Sequence, residues 1–142
     1  MEFKNSTILI TGGTSGIGLE FVKQLTENGA IIIVTGRNLD KLNATKEKFP
    51  TVQYFQSDVS NPNDIEQLYL KVIKQFPDLN LVINNAGIMR NLSLQDTSLN
   101  LEKITDEIDI NLSGVIRLYE SFTHFVSSKI ISTFHPNYLN LK

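Results

Sequence analysis

The sequence contains no cysteine. That removes disulfides, thiolate metal sites and cysteine nucleophiles together, and it fits a reducing compartment such as the cytoplasm. Neither charge dominates, since 13 Lys and Arg stand against 15 Asp and Glu for a formal net charge of -2. The lysines are scattered among acids rather than massed in a block, so the chain has no electrostatic footprint for nucleic acid. Long hydrophobic runs are missing as well. The longest are strand-sized, as in "IIIV" at 31–34, too short to span a membrane. The apolar part of "MEFKNSTILITGG" is likewise too short for a secretory signal. There is no internal repeat, low-complexity tract or linker. With 142 residues and 41% hydrophobic content, the chain suits one domain with a real core and is too short for two of ordinary size.

What is present is an alternation of strand and helix patterns. "TILIT" (7–11) is a short β-rich run, followed by glycines and then by "GIGLEFVKQLTENG", where Ile17, Phe21, Val22 and Leu25 fall at helical spacing before Gly29. "AIIIVT" (30–35) is a continuous apolar run suited to a strand buried on both faces. Leu39, Leu42 and Phe49 suggest a short helix stopped by Pro50, and "VQYFQS" (52–57) reads as a third strand. Asn61 and Pro62 form a cap with proline at the first helical position, after which Ile65, Leu68, Tyr69, Val72, Ile73 and Phe76 mark one helical face. "LNLVIN" (79–84) is the fourth strand. A long helical pattern then carries Ile104, Ile108, Leu112, Val115, Ile116 and Tyr119 as its apolar face. "KIISTF" (129–134) begins a fifth strand. Such alternation predicts an α/β fold, a doubly wound parallel sheet of Rossmann-like type with right-handed crossovers and helices on both faces, three layers in all.

The chemistry concentrates in "TGGTSGIG", Thr11 to Gly18, at the first strand-to-helix turn. A pyrophosphate brings negative charge close to the backbone, so the turn needs glycines where a Cβ would block its approach. The following helix offers free N–H groups and the positive end of its dipole. Gly12, Gly16 and Gly18 meet that need. Glycines alone often mark only a tight turn, but their place between a first strand and a helix is the context of a dinucleotide site. No lysine follows them in the G-K-[S/T] order, which argues against a P-loop nucleotide triphosphatase.

Four motifs in order resemble the short-chain dehydrogenase/reductase family over about residues 5–125: T-G-x-x-x-G-I-G after the first strand, Asp58 in "SDV" after the third, N-N-A-G (Asn84 to Gly87) after the fourth, and Asn111 in "INLSG". The resemblance implies a nicotinamide cofactor and a small carbonyl or alcohol substrate. It places Gly12, Thr14, Ser15, Gly16, Ile17 and Gly18 around the cofactor phosphates, and Asp58 and Val59 against the adenine. Asn84, Asn85, Ala86 and Gly87 would line the cleft, and Asn111 would be a member of the catalytic tetrad that holds a water in a proton relay. Each has a blander account: Asp58 as a turn cap before "SNPND", the asparagines as a polar exit from a strand, Asn111 as a back-bond within its own helix.

Cofactor choice is read at "VTGRN" (34–38). An NAD enzyme places an acid there to accept the ribose hydroxyls, whereas this chain has Gly36 followed by Arg37, whose planar cation suits the 2'-phosphate of NADP. The expectation is NADP in preference to NAD, with a solvated Arg37 as the alternative. Ser15, where many NADP-preferring relatives carry a basic residue, adds no support.

The family domain is much longer than this chain. Ser132 stands at best near the serine of the tetrad, and Tyr138 follows too soon after it; "YLNLK" has a tyrosine and a lysine at the family's internal spacing in the wrong place. A tyrosine must drop by roughly three units from about 10 to work near neutral pH, some 4 kcal/mol, while an exposed ammonium at about 4 Å supplies about 1 kcal/mol. Tyr138 and Lys142 are therefore not expected to be a catalytic pair. The expected organisation is an incomplete dinucleotide-binding domain over 1–128 and a divergent tail over 129–142, truncated after the fourth or fifth strand and prone to self-association through the open sheet edge. Two functions follow: the cofactor half of an oxidoreductase, or a non-catalytic nucleotide-binding or interaction module derived from one.

Overall fold

The computed structural model describes residues 3–89, 101–126 and 131–133. Five strands, β1 (Thr7–Thr11), β2 (Ile31–Gly36), β3 (Gln53–Gln56), β4 (Leu79–Asn84) and β5 (Ile131–Thr133), form one parallel sheet in the order β3-β2-β1-β4-β5. Between them run the helices α1 (Gly16–Glu27), α2 (Leu39–Lys48), α3 (Pro62–Gln75), α4 (Leu101–Ile108) and α5 (Gly114–Thr123). The order reverses between β1 and β4, because the chain winds outward from β1 to β3 and then crosses back. Sheets of this kind leave a crevice outside the carboxyl ends of their strands at that reversal.

Parallel strands buried on both faces need helices above and below them, and the side chains of β1 divide accordingly. Ile8 and Ile10 pack with Ile32, Val34 and Ile83 under Val22 and Leu25 of α1 and Leu42 of α2. Leu9 faces the other way, with Ile33 and Val82 under Ile65, Leu68 and Val72 of α3 and Leu118 and Phe122 of α5. The two apolar layers account for the all-buried pattern of β1. Local signals set the helix ends as their residue types predict: Asn38 Oδ1 accepts from Lys41 N at 2.9 Å at the start of α2, and Asn61 Oδ1 accepts from Asn63 N at 3.0 Å ahead of Pro62. Among the described residues, no helix is long and apolar enough to cross a membrane.

The region after β4 departs from the expected continuous helix. A π-helical turn, Asp109–Ser113, separates α4 from α5, with Gly114 N–H donating to Asp109 O. The apolar face expected from the pattern is also the wrong one. Ile108, Leu112, Ile116 and Tyr119 are half exposed or more, while Ile110, Gly114, Leu118, Phe122 and Val126 are the buried stripe. Both stripes are apolar at a spacing of four, so periodicity alone could not choose between them. Phe122 is held edge-on to Tyr69 of α3 with ring centroids 5.3 Å apart, and a Cβ on Gly114 would come within 2.8 Å of Val59 O. That close approach requires a glycine on the face that packs. Leu39 and Ile17, also assigned to packing faces, are 48% and 38% exposed. Tyr138 and Lys142 lie outside the described residues, as do the side chains of Ile104 and Ser132.

The swapped stripe yields a direct contrast between two leucines of one segment. Leu118→Ala should cost about 2–5 kcal/mol, as large-to-small changes in a packed core do. Leu112→Ala, on the exposed stripe, should stay within about 0.5 kcal/mol in dilute solution. Urea unfolding of both variants is the measurement, and equal losses would mean that both faces are covered.

Candidate functional site

The carboxyl end of β1 runs straight into the glycine turn, and the side chain of Asn85, the residue after β4, holds that turn in place. Thr11 Oγ1 accepts from Asn85 N and from Ala86 N, both at 3.0 Å, and donates to Ile83 O at 3.5 Å. Asn85 replies through its side chain: Nδ2 donates to Thr11 O and Gly12 O, each at 3.1 Å. Asn85 is buried and Thr11 is almost wholly so. Buried polar groups are retained where their partners are satisfied, and here two side chains join two strands across 74 residues of sequence. Asn85 is therefore not merely a polar exit from the strand.

The glycines are explained by what surrounds them. Gly12 has a φ of 65° and a Cβ on it would stand 2.8 Å from Ala86 Cα; one on Gly18 would collide with Asn85 Nδ2 and Gly12 O. These two close the turn against β4 and let α1 start tight behind it. Gly16 differs, having a φ of 54° and nothing within 4 Å of the place a Cβ would take. It borders open space at the first residue of α1. Ser15, the N-cap, makes no side-chain bond to the helix it precedes. The first amides of α1 thus lack the usual hydroxyl acceptor and face the crevice with the positive end of the dipole, an arrangement that suits a phosphate.

A cleft of about 520 Å³ opens there. Gly12, Thr14, Ser15, Gly16, Ile17 and Gly18 form one wall, Asp58 and Val59 a second, and Asn85, Ala86 and Gly87 a third, with Arg37 on the rim. Twelve of the fourteen residues assigned from sequence line this cleft; Asn84 and Asn111 do not, and Asn111 stands behind it. Its Oδ1 accepts from Ile88 N at 2.8 Å and its Nδ2 donates to Ile88 O at 2.7 Å. The side chain pins the loop that leaves β4 onto the π-helical turn, instead of bonding back to its own helix. Asp58 combines its two accounts. Its Oδ1 accepts from Ser60 N at 2.9 Å and from Ser60 Oγ at 2.7 Å, which caps the turn, and the residue also lines the cleft. Asn84 does not line it. It is buried, and its amide has no partner among the described residues.

The comparison with known proteins agrees with this geometry. The family model for short chain dehydrogenases matches residues 6–132. The chain belongs to the short-chain dehydrogenase family. It is 37% identical over 123 residues to the uncharacterized oxidoreductase DltE of Bacillus subtilis, covering 87% of this chain and 49% of that protein. It is 29% identical over 113 residues to a farnesol dehydrogenase of Aedes aegypti, covering 76% of this chain and 46% of the relative. Among solved structures, gox2181 superposes with a TM-score of 0.84 at 22% identity over 92% of this chain and 53% of its own. A short-chain dehydrogenase/reductase from Brucella melitensis, titled glucose/ribitol dehydrogenase, gives 0.76 at 24% identity over 85% of this chain and 52% of its own. At such identities the structures show the fold alone. The chain spans about half the length of these relatives.

Members of this family bind nicotinamide dinucleotides, and the glycine wall, the uncapped start of α1 and the aspartate-valine wall fit such a group. Sequence reasoning missed part of the lining. Lys41 and Asn38 join Arg37 on the rim, while Thr35 and Ser57 reach the cleft from the ends of β2 and β3, each with a buried hydroxyl that has no partner among the described residues. Lys41 had a signal, being four residues after Arg37; the two hydroxyls sat inside strand patterns that read as structural.

The bond network around Thr11 is open to an isosteric test. Thr11→Val keeps the shape but strips the acceptor from two backbone amides, and should cost about 2–4 kcal/mol in urea unfolding, the penalty of two orphaned buried donors. A loss below about 0.5 kcal/mol would mean the amides find other acceptors.

Proposed function

We propose that this chain is the cofactor-binding portion of an NADP-preferring oxidoreductase that interconverts a small-molecule carbonyl and its alcohol. The observation that carries the cofactor preference is the end of β2, where Gly36 presents no carboxylate and Arg37 stands on the cleft rim. An acid at this point would accept the ribose hydroxyls of NAD and repel a 2'-phosphate; a guanidinium does the reverse by charge-assisted hydrogen bonds. When bound, the nicotinamide supplies or accepts the hydride. The chain's own residues bind and orient the cofactor. The first turn of α1 orients the pyrophosphate, Asp58 and Val59 bound the adenine end, and the Thr11–Asn85 network fixes both walls relative to each other before any ligand arrives.

The catalytic contribution argued for this chain is Asn111. With its amide engaged by Ile88, its side chain is held still in the π-helical turn, and that turn sits at the end of the cleft where Ile110 and Ile88 form the wall. The family's tyrosine and lysine are not assigned in this chain, because Tyr138 follows Ser132 too soon in the sequence. On this reading the chain alone binds cofactor without turning over substrate. Self-association is part of the same proposal, and the exposed Ile108, Leu112, Ile116 and Tyr119 support it by leaving an apolar stripe in water.

Calorimetric titration of the purified chain with NADP and with NAD checks the preference. NADP should bind more tightly, and Arg37→Ala should weaken NADP by about 1–3 kcal/mol while leaving NAD nearly unchanged. Equal affinities in the unaltered chain would contradict the assignment, and a matching loss for both cofactors in Arg37→Ala would give Arg37 another role.

A further inference from the structure

We infer that Lys41 is a second cation for the 2'-phosphate, so that cofactor selection is shared between Arg37 and the first turn of α2. The inference rests on the NADP reading of the cleft and adds a residue to it. Lys41 is the third residue of α2, fixed there by the bond from its own N–H to Asn38 Oδ1, and it lines the same cleft as Arg37.

Its placement is unfavourable without an anion. A lysine in the first turn of a helix lies at the positive end of the dipole, where a cation is destabilising. Asp40 in the same turn is the residue type that position favours, yet it is not among the lining residues of the cleft. Arg37, four residues earlier, brings a second positive charge to the same rim. Both side chains are exposed, and among the described residues neither has a carboxylate partner. Two cations with no carboxylate partner among the described residues therefore line one cleft of a chain whose formal net charge is -2. A phosphomonoester carries about -1.5 to -2 near neutral pH, and two cations match it better than one.

Gly36 supports the same conclusion. A Cβ there would meet Thr14 Cγ2 at 3.4 Å, Thr14 Oγ1 at 3.6 Å and Leu42 Cδ2 at 3.8 Å, all ordinary contacts. Neither packing nor φ demands a glycine at this point. Its effect is to leave this lining position of the cleft without a side chain, acidic or otherwise.

The test is calorimetric titration of the 142-residue chain and its variants with NADP and NAD. Lys41→Ala should weaken NADP about ten-fold, the size expected for losing one charge-assisted hydrogen bond, and leave NAD within about two-fold. Lys41→Arg should restore most of the loss, and Lys23→Ala, an exposed lysine of α1, should change neither. Circular dichroism confirms that each variant is folded. NADP affinity within two-fold of the unaltered chain in Lys41→Ala, alongside a selective loss in Arg37→Ala, would overturn the role of Lys41 and leave the NADP reading standing. Equal loss of NADP and NAD in Lys41→Ala would also overturn it, by making Lys41 a general contributor. No preference for NADP in the unaltered chain would remove the NADP reading and this inference together.

Discussion

The exchange of hydrogen bonds between Thr11 and Asn85 is the constraint on which the rest of the site depends. A glycine-rich turn is flexible by nature, since its residues lack side chains, and flexibility is a poor property in a surface proposed to hold a dinucleotide. Here the turn acquires rigidity from outside itself. One hydroxyl takes two amides from the end of β4, and one carboxamide returns bonds to Thr11 O and Gly12 O. The absence of Cβ atoms at Gly12 and Gly18 is what lets the two chain segments approach closely enough for those bonds. These two glycines thus serve the protein's own packing, whatever they do for a ligand.

The same device recurs one step farther along the sheet. Asn111 clasps both backbone polar groups of Ile88, and Gly114 admits Val59 to the surface of the helical segment. These contacts tie the loop after β4 and the loop after β3 to one rigid body behind the crevice. The walls of the cleft come from four different strand ends, so their relative positions are set by such cross-ties and not by local sequence. Preorganisation of this kind lowers the ordering cost of binding.

The strands and the glycine turn were legible from the sequence because their signals are local: apolar runs of strand length, a turn that cannot tolerate side chains, and a cap at Asn61 ahead of Pro62. The segment after β4 was not. Its two stripes, one through Leu112 and Ile116 and the other through Gly114 and Leu118, are both apolar, and the decisive fact is the proximity of Val59, which is brought in by a distant turn. The π-helical turn has no signature that periodicity can register. For Asn111 the sequence offered a catalytic place or a back-bond within its own helix, and neither reading names its partner at Ile88, which is set by tertiary packing. Lys41 and the hydroxyls of Thr35 and Ser57 were overlooked for a related cause. A residue on a strand end or in a first helical turn becomes part of a cleft only once the crossover has placed its neighbours.

Backbone NMR of the 16.0 kDa chain during titration with NADP measures the central claim most directly, because it reports where the ligand sits without depending on turnover. The amide resonances of Gly16, Ile17 and Gly18 should move together with those of Asp58 and Val59, reaching saturation at a common dissociation constant. Saturable shifts confined to other segments, with the glycine-turn amides unmoved, would contradict the assignment of this cleft to the dinucleotide.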